Sequence, residues 1–210
     1  MKLIYGYKNF IIFTLFNLFY LFSLNFINKN NNYNFLIWNL FLGFVPYLLA
    51  IVLHYYSNRI NNITLLFGSF LWLVFYPNAP YMITDLIHVN ENSSNVIYEA
   101  LMIFSFSMES LFFGFYSVKI MEFILIPKRG KLQTNVFLVT SLFLSSFGIY
   151  LGRILRLNTW DIFTAPSKTF ELILNHLFPI TQNPTTYSMI LLFTFIQFIL
   201  YIQTNRFHEE

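Results

Sequence analysis

The sequence has no cysteine and few charged residues, and both shortages restrict what the protein can be. Without cysteine it forms no disulfide, thiolate nucleophile or iron–sulfur ligand set. Asp, Glu, Lys and Arg make up only 10% of the 210 residues, whereas soluble domains contain about 25%. The few glycines form neither GxGxxG nor GxxxxGK. A soluble single domain and a recognisable nucleotide-binding loop are therefore excluded.

Long apolar runs make up most of the chain. Apolar residues account for 57% of it, enough for about six membrane-spanning helices of about 20 residues each. The first run lacks a small-x-small cleavage site, so we interpret it as an uncleaved span rather than a signal peptide. We predict one all-α polytopic membrane domain over residues 1–210, with six transmembrane helices at about 10–27, 35–56, 63–89, 96–126, 136–155 and 187–204.

The positions of lysine and arginine predict the orientation of these spans. With the N-terminus in the cytoplasm, Lys2, Lys8, Arg59, Lys128, Arg129, Lys131 and Arg206 lie inside, and Lys29, Arg153, Arg156 and Lys168 lie outside. Lys119 falls within a span and is not counted. Because cytoplasmic loops carry the excess of positive charge, we expect a cell-membrane protein with both termini in the cytoplasm.

The third span is predicted to be broken. Its first part, residues 63–76, is 14 residues long, or about 21 Å of helix, which is shorter than a hydrocarbon core of about 30 Å. Proline lacks a backbone N–H and disfavours helix in the residue before it. The helix should therefore break at Pro77–Pro80 and restart at Pro80, with Asn78 or Ala79 as its cap.

Two further patterns concern helix packing. After the fifth span, apolar residues recur at helical spacing near 168–178, which predicts a short helix in the membrane interface. Small residues form one stripe on the fourth span and another on the fifth, at Ser107, Ser110, Gly114 and Ser117 and at Ser141, Ser145, Gly148 and Gly152. Such stripes let helix backbones approach closely, so the fourth and fifth spans are predicted to be neighbours.

Polar side chains concentrate at the predicted extracytoplasmic ends of the spans. Such side chains are costly at membrane depth and usually face the interior of a bundle. The candidate substrate-binding residues among them are Asn78, Arg153, Arg156, Trp160 and Asp161. The alternative interpretation is that Trp and Arg anchor the spans at the interface and that Asn78 caps a helix.

Asp85 and His88 are three residues apart and should share one helix face. The pair could be a base with its orienting partner, or two metal ligands. A catalytic zinc needs a third protein ligand, which the spacing does not supply, so no metal site is assigned. A carboxylate at membrane depth needs a partner whatever its chemistry, and we predict that Asp85 pairs with Arg153 or Arg156.

Glu109 is a candidate catalytic residue together with Asp85 and His88, although no catalytic role is assigned to any of them. It lies in the middle of the fourth span, about 20 Å from the start. A carboxyl group there is a candidate proton or cation site, and a neutral acid hydrogen-bonded to a neighbouring helix is the structural alternative. We expect the acid to be mostly protonated, with Ser105 as a hydrogen-bonding neighbour, because desolvation penalises its charged form.

Two motifs are similar to those of a known family. The strings PNAPYMITDLIH and GRILRLNTWD resemble the bacterial multipass membrane family known as domain of unknown function 1361, over Phe35 to about Thr204. The resemblance implies the membrane fold and carries no activity. It nominates as signature positions Pro77, Asn78, Pro80, Tyr81, Asp85, His88, Arg153, Arg156, Asn158, Trp160 and Asp161.

Three functions remain open. The first is a membrane protein that acts through partners or in envelope assembly, with the polar residues holding its bundle together. The second is a transporter or accessory permease in which the broken third span exposes backbone groups to a substrate. The third is an enzyme acting on a lipid headgroup or lipid-linked substrate, with Asp85 or His88 as base and Arg153 and Arg156 as an anion clamp. The expected partners are the lipid bilayer and another membrane protein; no cofactor or nucleic acid is expected.

Overall fold

The protein is an all-α multipass membrane protein, which confirms the predicted fold class. A computed structural model describes residues 7–29, 31–90, 93–157, 161–177 and 184–206, and the regular structure in these ranges is helical. Six segments are long and apolar enough to cross a membrane: Lys8–Ile27, Phe35–Tyr56, Asn62–His88, Val96–Arg129, Lys131–Arg153 and Pro184–Gln203. They coincide with the predicted spans, with ends displaced by a few residues.

The described helices belong to two compact units, Met1–Ile124 and Leu125–Glu210. The first unit contains α1 (Tyr7–Asn28), α2 (Phe35–Tyr56), α3 (Asn62–Phe75), α4 (Asn78–Tyr81), a 3₁₀ helix (Met82–His88) and most of α5 (Val96–Arg129). The second contains α6 (Lys131–Arg153), α7 (Asp161–Thr164), α8 (Pro166–Leu177) and α9 (Pro184–Arg206).

The third span is interrupted at the Pro77–Pro80 motif, which confirms the predicted break. The predicted restart at Pro80 is wrong, because α4 already begins at Asn78. The predicted caps, Asn78 or Ala79, are also wrong: Pro77 occupies the cap position and itself has helical backbone angles (φ −56°, ψ −26°). The chain therefore regains a helical turn directly after the first proline and continues as the 3₁₀ helix.

The side chain of Asn78 closes the break. Pro80 has no backbone N–H for the carbonyl of Tyr76, four residues earlier, and the N–H of Ala79 donates to that carbonyl at 3.1 Å. The side-chain amide of Asn78 donates to the carbonyl of Phe75 at 2.9 Å. Asn78, a predicted substrate-binding residue, thus uses part of its hydrogen-bonding capacity to hold the broken helix.

The small-residue stripe of α5 packs against α2 and α4. A Cβ added at Gly43 of α2 would lie 2.0 Å from Oγ of Ser110. A Cβ added at Gly114 would lie 2.9 Å from the Cβ of Ala79 in α4. Both glycines therefore allow an approach that a larger residue would block, which is the use of small residues in membrane helices.

Hydrogen bonds continue this seam along the broken third span. The hydroxyl of Ser107 donates to the carbonyl of Met82 at 2.7 Å, and the indole N–H of Trp72 donates to Ser117 Oγ at 3.1 Å. The described contacts of this stripe are thus with α2, α4 and the 3₁₀ helix, and a seam with the fifth span stays a prediction. The small residues of the stripe allow close packing in the first unit, because α2 and α4 present a glycine and an alanine to it and the 3₁₀ helix presents a backbone carbonyl.

In the second unit, α6 packs against α9. The side-chain amide of Gln197 donates to Ser146 Oγ at 2.8 Å, and the hydroxyl of Thr186 donates to that of Tyr150 at 3.2 Å. The short helix predicted near 168–178 is present as α8, which ends at Leu177; Phe178 lies outside the described residues. Its interfacial position stays a prediction.

Candidate functional site

Glu99 joins two loops of the first unit to the beginning of α5. It lies in the first turn of this helix and is buried. One of its carboxyl oxygens accepts a hydrogen bond from the hydroxyl of Tyr33 at 2.6 Å, and the other accepts from Ser93 Oγ at 2.8 Å. Burial, followed by the contact with Glu99, raises the pKa of Tyr33 to about 12. The phenol therefore remains a neutral donor at physiological pH.

Asp85 and His88 lie on the same 3₁₀ helix in different environments. Asp85 is 1% exposed, and the side-chain amide of Asn39 in α2 donates to its Oδ2 at 2.8 Å. His88 is exposed, and its ring packs edge-on against Phe35 with 5.2 Å between ring centroids. The buried carboxylate and the exposed imidazole are therefore held by different contacts with α2.

We refer to Tyr33, Asn39, Asp85, Ser93 and Glu99 as the loop-end cluster, because they lie on loops and on the adjoining ends of helices. The two hydrogen bonds of Tyr33 and Asn39 join the start of α2 and the loop before it to the 3₁₀ helix and the start of α5. Of the first-unit residues predicted to converge at this end of the chain, Asn39 and Asp85 are hydrogen-bonded to each other; the convergence of the others stays a prediction.

Glu109 belongs to a second group, the mid-helix cluster, formed with Thr14, Asn17 and Ser105. Its side chain is completely buried, and Oε2 accepts a hydrogen bond from the amide of Asn17 at 2.6 Å. Thr14 Oγ1 is hydrogen-bonded to Oε1 of the same carboxyl. The predicted neighbour Ser105 acts one step away, because its hydroxyl donates to Asn17 Oδ1 at 2.6 Å.

Thr14 and Asn17 are functional candidates that the sequence interpretation missed. Both lie in the first apolar run, which was judged by its hydropathy and by its lack of a cleavage site. A signal was available, because an asparagine three residues after a threonine puts two hydrogen-bonding side chains on one helix face. Their placement makes α1 a partner of the buried acid in α5.

The remaining candidates lie in the second unit or outside the described residues. Arg153 is the last residue of α6, and Arg156 follows it with a left-handed backbone (φ +56°) and an exposed side chain. Asp161 begins α7, and its backbone carbonyl accepts from the hydroxyl of Thr169 at 3.1 Å. Asn158 and Trp160 lie outside the described residues. The pairing of Asp85 with Arg153 or Arg156 stays a prediction.

No group of three or more His, Asp or Glu side chains that could hold a metal ion occurs within the described ranges. Within the described part of the first unit, the buried carboxyl groups of Asp85, Glu99 and Glu109 accept hydrogen bonds from side-chain amides or hydroxyls. Such donors can hold a carboxyl group in a fixed place without a countercharge, provided that the acid is neutral or that its charge is shared among several hydrogen bonds.

The family follows from a comparison with family models. The model described as "Protein of unknown function (DUF1361)" matches residues 38–200. The chain belongs to the DUF1361 family. The match confirms the resemblance found in the motifs and contains every predicted site residue, whereas Thr14 and Asn17 of α1 precede it. No curated protein and no solved structure matches this DUF1361 chain.

Proposed function

We propose that this DUF1361 protein acts through contacts with another membrane protein, in the assembly of the cell envelope. In this proposal the loop-end and mid-helix clusters hold the bundle in the conformation that the partner binds. One observation supports it: in the part of the first unit that the structure describes, the buried carboxyl groups of Asp85, Glu99 and Glu109 accept hydrogen bonds from neutral side chains of another helix or loop.

The physical argument concerns what holds membrane helices together. Lipid tails are as apolar as leucine, so close packing and hydrogen bonds between helices replace the hydrophobic effect. A buried polar group must also be satisfied, or it costs free energy. Carboxyl groups bonded by Asn, Ser and Tyr meet both needs, and at Glu99 and Glu109 this role requires their hydrogen bonds rather than their charge.

The experiment replaces each carboxyl group by its amide and, separately, by leucine. Glu99→Gln and Glu109→Gln should purify as monodisperse protein at the wild-type level and should restore envelope-stress resistance to a deletion strain. They should also retain the native complex with the partner, measured by its mass in mild detergent. Asp85→Asn tests in addition whether the predicted pairing of Asp85 with Arg153 or Arg156 needs the charge. Asp85→Leu, Glu99→Leu and Glu109→Leu should lose the fold, the complex and the complementation together.

An amide variant that folds like the wild type but fails to complement would contradict the proposal. That result would show that the ionisable group itself is needed, as in the transport and enzyme alternatives.

The proposed orientation has both termini in the cytoplasm and the loop-end cluster on the extracytoplasmic side. Because the chain has no cysteine, single cysteines can be labelled without background. Ser94→Cys should react with an impermeant maleimide added to intact cells, whereas Lys128→Cys should react only after permeabilisation. Both positions are exposed, and the reverse pattern would overturn the orientation.

A further inference from the structure

We propose that Glu109 is a proton-binding site, and that the bound proton completes a hydrogen-bonded chain that holds α1 against α5. This inference concerns the mid-helix cluster and does not depend on the proposed function. It rests on the number of protons that the four side chains and one backbone carbonyl can share.

The hydroxyl of Thr14 carries one proton and has two acceptors within reach. It donates to the carbonyl of Phe10 at 2.9 Å and is also hydrogen-bonded to Glu109 Oε1. A single hydroxyl proton serves one acceptor well, while the hydroxyl oxygen can accept a further bond. If the Thr14 proton stays on the Phe10 carbonyl, the proton between Thr14 and Glu109 must come from the carboxyl group.

The hydrogen bonds at the other end of the cluster have the same donor-to-acceptor direction. Ser105 donates to Asn17 Oδ1 at 2.6 Å, and Asn17 Nδ2 donates to Glu109 Oε2 at 2.6 Å. A neutral carboxylic acid accepts on one oxygen and donates from the other. With a protonated Glu109 the donors therefore follow one another from Ser105 through Asn17, Glu109 and Thr14 to the carbonyl of Phe10, and every hydroxyl proton has an acceptor.

The surroundings favour the neutral form. Glu109 is completely buried and Asn17 is 1% exposed, and a buried carboxylate without a countercharge is costly. The groups that hydrogen-bond this carboxyl, Thr14 and Asn17, are uncharged. Among the described residues no cation is paired with it.

The titratable side chains of the adjoining helices do not favour the charged form of Glu109. Phe10 packs against two tyrosines, Tyr47 of α2 at 5.6 Å and Tyr116 of α5 at 5.3 Å between ring centroids. Tyrosine is neutral at physiological pH. Lys119 lies near the ring of Tyr116 at 5.9 Å, and Lys8 precedes Thr14 by almost two helical turns. Neither lysine is hydrogen-bonded to Glu109 among the described contacts.

The first test reads the protonation state directly. Infrared difference spectra between the wild type and Glu109→Gln, in detergent at neutral pH, should show the loss of a protonated-carboxyl C=O band. The matched control is Glu122→Gln on the same helix, a half-buried position near the end of α5, which shows the spectral change caused by removing a carboxyl group outside the mid-helix cluster. If Glu109→Gln removes an ionised-carboxylate band instead, Glu109 is charged and the proposal is overturned.

The second test asks whether the chain holds α1. Spin labels on Lys29→Cys, after α1, and Ser94→Cys, before α5, occupy exposed positions and report the distance between the two helix ends. Glu109→Gln keeps a donor for Thr14 and an acceptor for Asn17, so it should preserve a narrow distance distribution.

Thr14→Val removes the acceptor of the proposed proton while keeping the shape of the side chain, and it should broaden the distribution at least twofold. An unchanged distribution in Thr14→Val would show that the chain does not hold α1, and a broadened one in Glu109→Gln would show that an amide cannot replace the acid. Either outcome overturns the proposal.

Discussion

Two faces of α5 are attached to their neighbours in different ways. Toward α1, Glu109 and Ser105 reach Thr14 and Asn17 through hydrogen bonds between side chains. Toward α2 and the broken third span, small residues bring the backbones close together, and Gly43 and Gly114 leave room where an added Cβ would collide with Ser110 and Ala79. The face toward α1 depends on hydrogen-bonding groups that must be matched in position. The face toward α2 and the third span depends on residues small enough for the backbones to come close.

The difference predicts unequal consequences of mutation. Interhelical hydrogen bonds in membranes contribute about 0.6 kcal/mol on average, because the separated helices also find partners. An atom inserted into a filled seam has no such compensation and costs about 1 to 3 kcal/mol. The packed face should therefore be the more sensitive of the two, although its residues carry less chemistry.

The largest effect is expected at Gly43. Gly43→Ala places a Cβ 2.0 Å from Ser110 Oγ and 3.3 Å from Ser110 Cβ, so it should destabilise the protein by about 1 to 3 kcal/mol. Ser110→Ala removes the colliding oxygen, which is buried and has no hydrogen-bond partner among the described residues, and should be close to neutral alone. The double variant should recover most of the loss, measured by thermal unfolding in detergent.

Gly130 provides the matched control for this seam. It has no atom within 4 Å of an added Cβ but has a positive φ of 83°, so Gly130→Ala should show only the cost of backbone strain. Failure of Ser110→Ala to rescue Gly43→Ala would show that the neighbours left in place, the Cβ of residue 110 at 3.3 Å and the Ala79 backbone at 3.5 Å, limit the approach instead.

The sequence predicted the stripe on α5 but not its contacts with α2 and α4. Spacing shows which small residues share a helix face, since that depends on the helix alone. Which helix fills the face depends on residues far away in the chain, here Gly43 and Ala79. The presence of two stripes suggested that they pair with each other, whereas the described contacts of the α5 stripe are with α2, α4 and the 3₁₀ helix.

The candidate site was also predictable only in part. The break at Pro77–Pro80 follows from the chemistry of proline, and the burial of Asp85 and Glu99 follows from the cost of polar groups in a membrane. The donors Tyr33 and Asn17 were not predicted, because neutral amides and phenols are common at interfaces and carry no charge that would mark them as buried partners. For the same reason, the contact of α1 with Glu109 was not predicted.

A smaller effect is expected where a hydrogen bond lies on the packed face itself. Ser117→Ala removes the acceptor of the Trp72 indole N–H and should cost about 0.6 kcal/mol, the usual value for such a bond in a membrane. A double-mutant cycle with Trp72→Phe separates this bond from the packing of the indole ring. A coupling energy above about 1.7 kcal/mol, the largest measured in such cycles, would contradict the ranking of the two faces.

The smallest effect at neutral pH concerns Tyr33, which extends the comparison to the end of α5, where a hydrogen bond joins the helix to a loop. The pKa of Tyr33 is raised to about 12 by burial and by Glu99, against about 10 for a free tyrosine. The folded protein therefore favours the neutral phenol, and this contribution to stability is complete below about pH 10 and is lost as the pH rises through about 12.

The absorbance difference between the wild type and Tyr33→Phe should give a tyrosinate midpoint near 12. In Glu99→Gln, which keeps the burial but removes the negative charge, the same difference should titrate between 10 and 12. A midpoint near 10 in the wild type would show that the phenol is free in solution and that Glu99 is held by other groups.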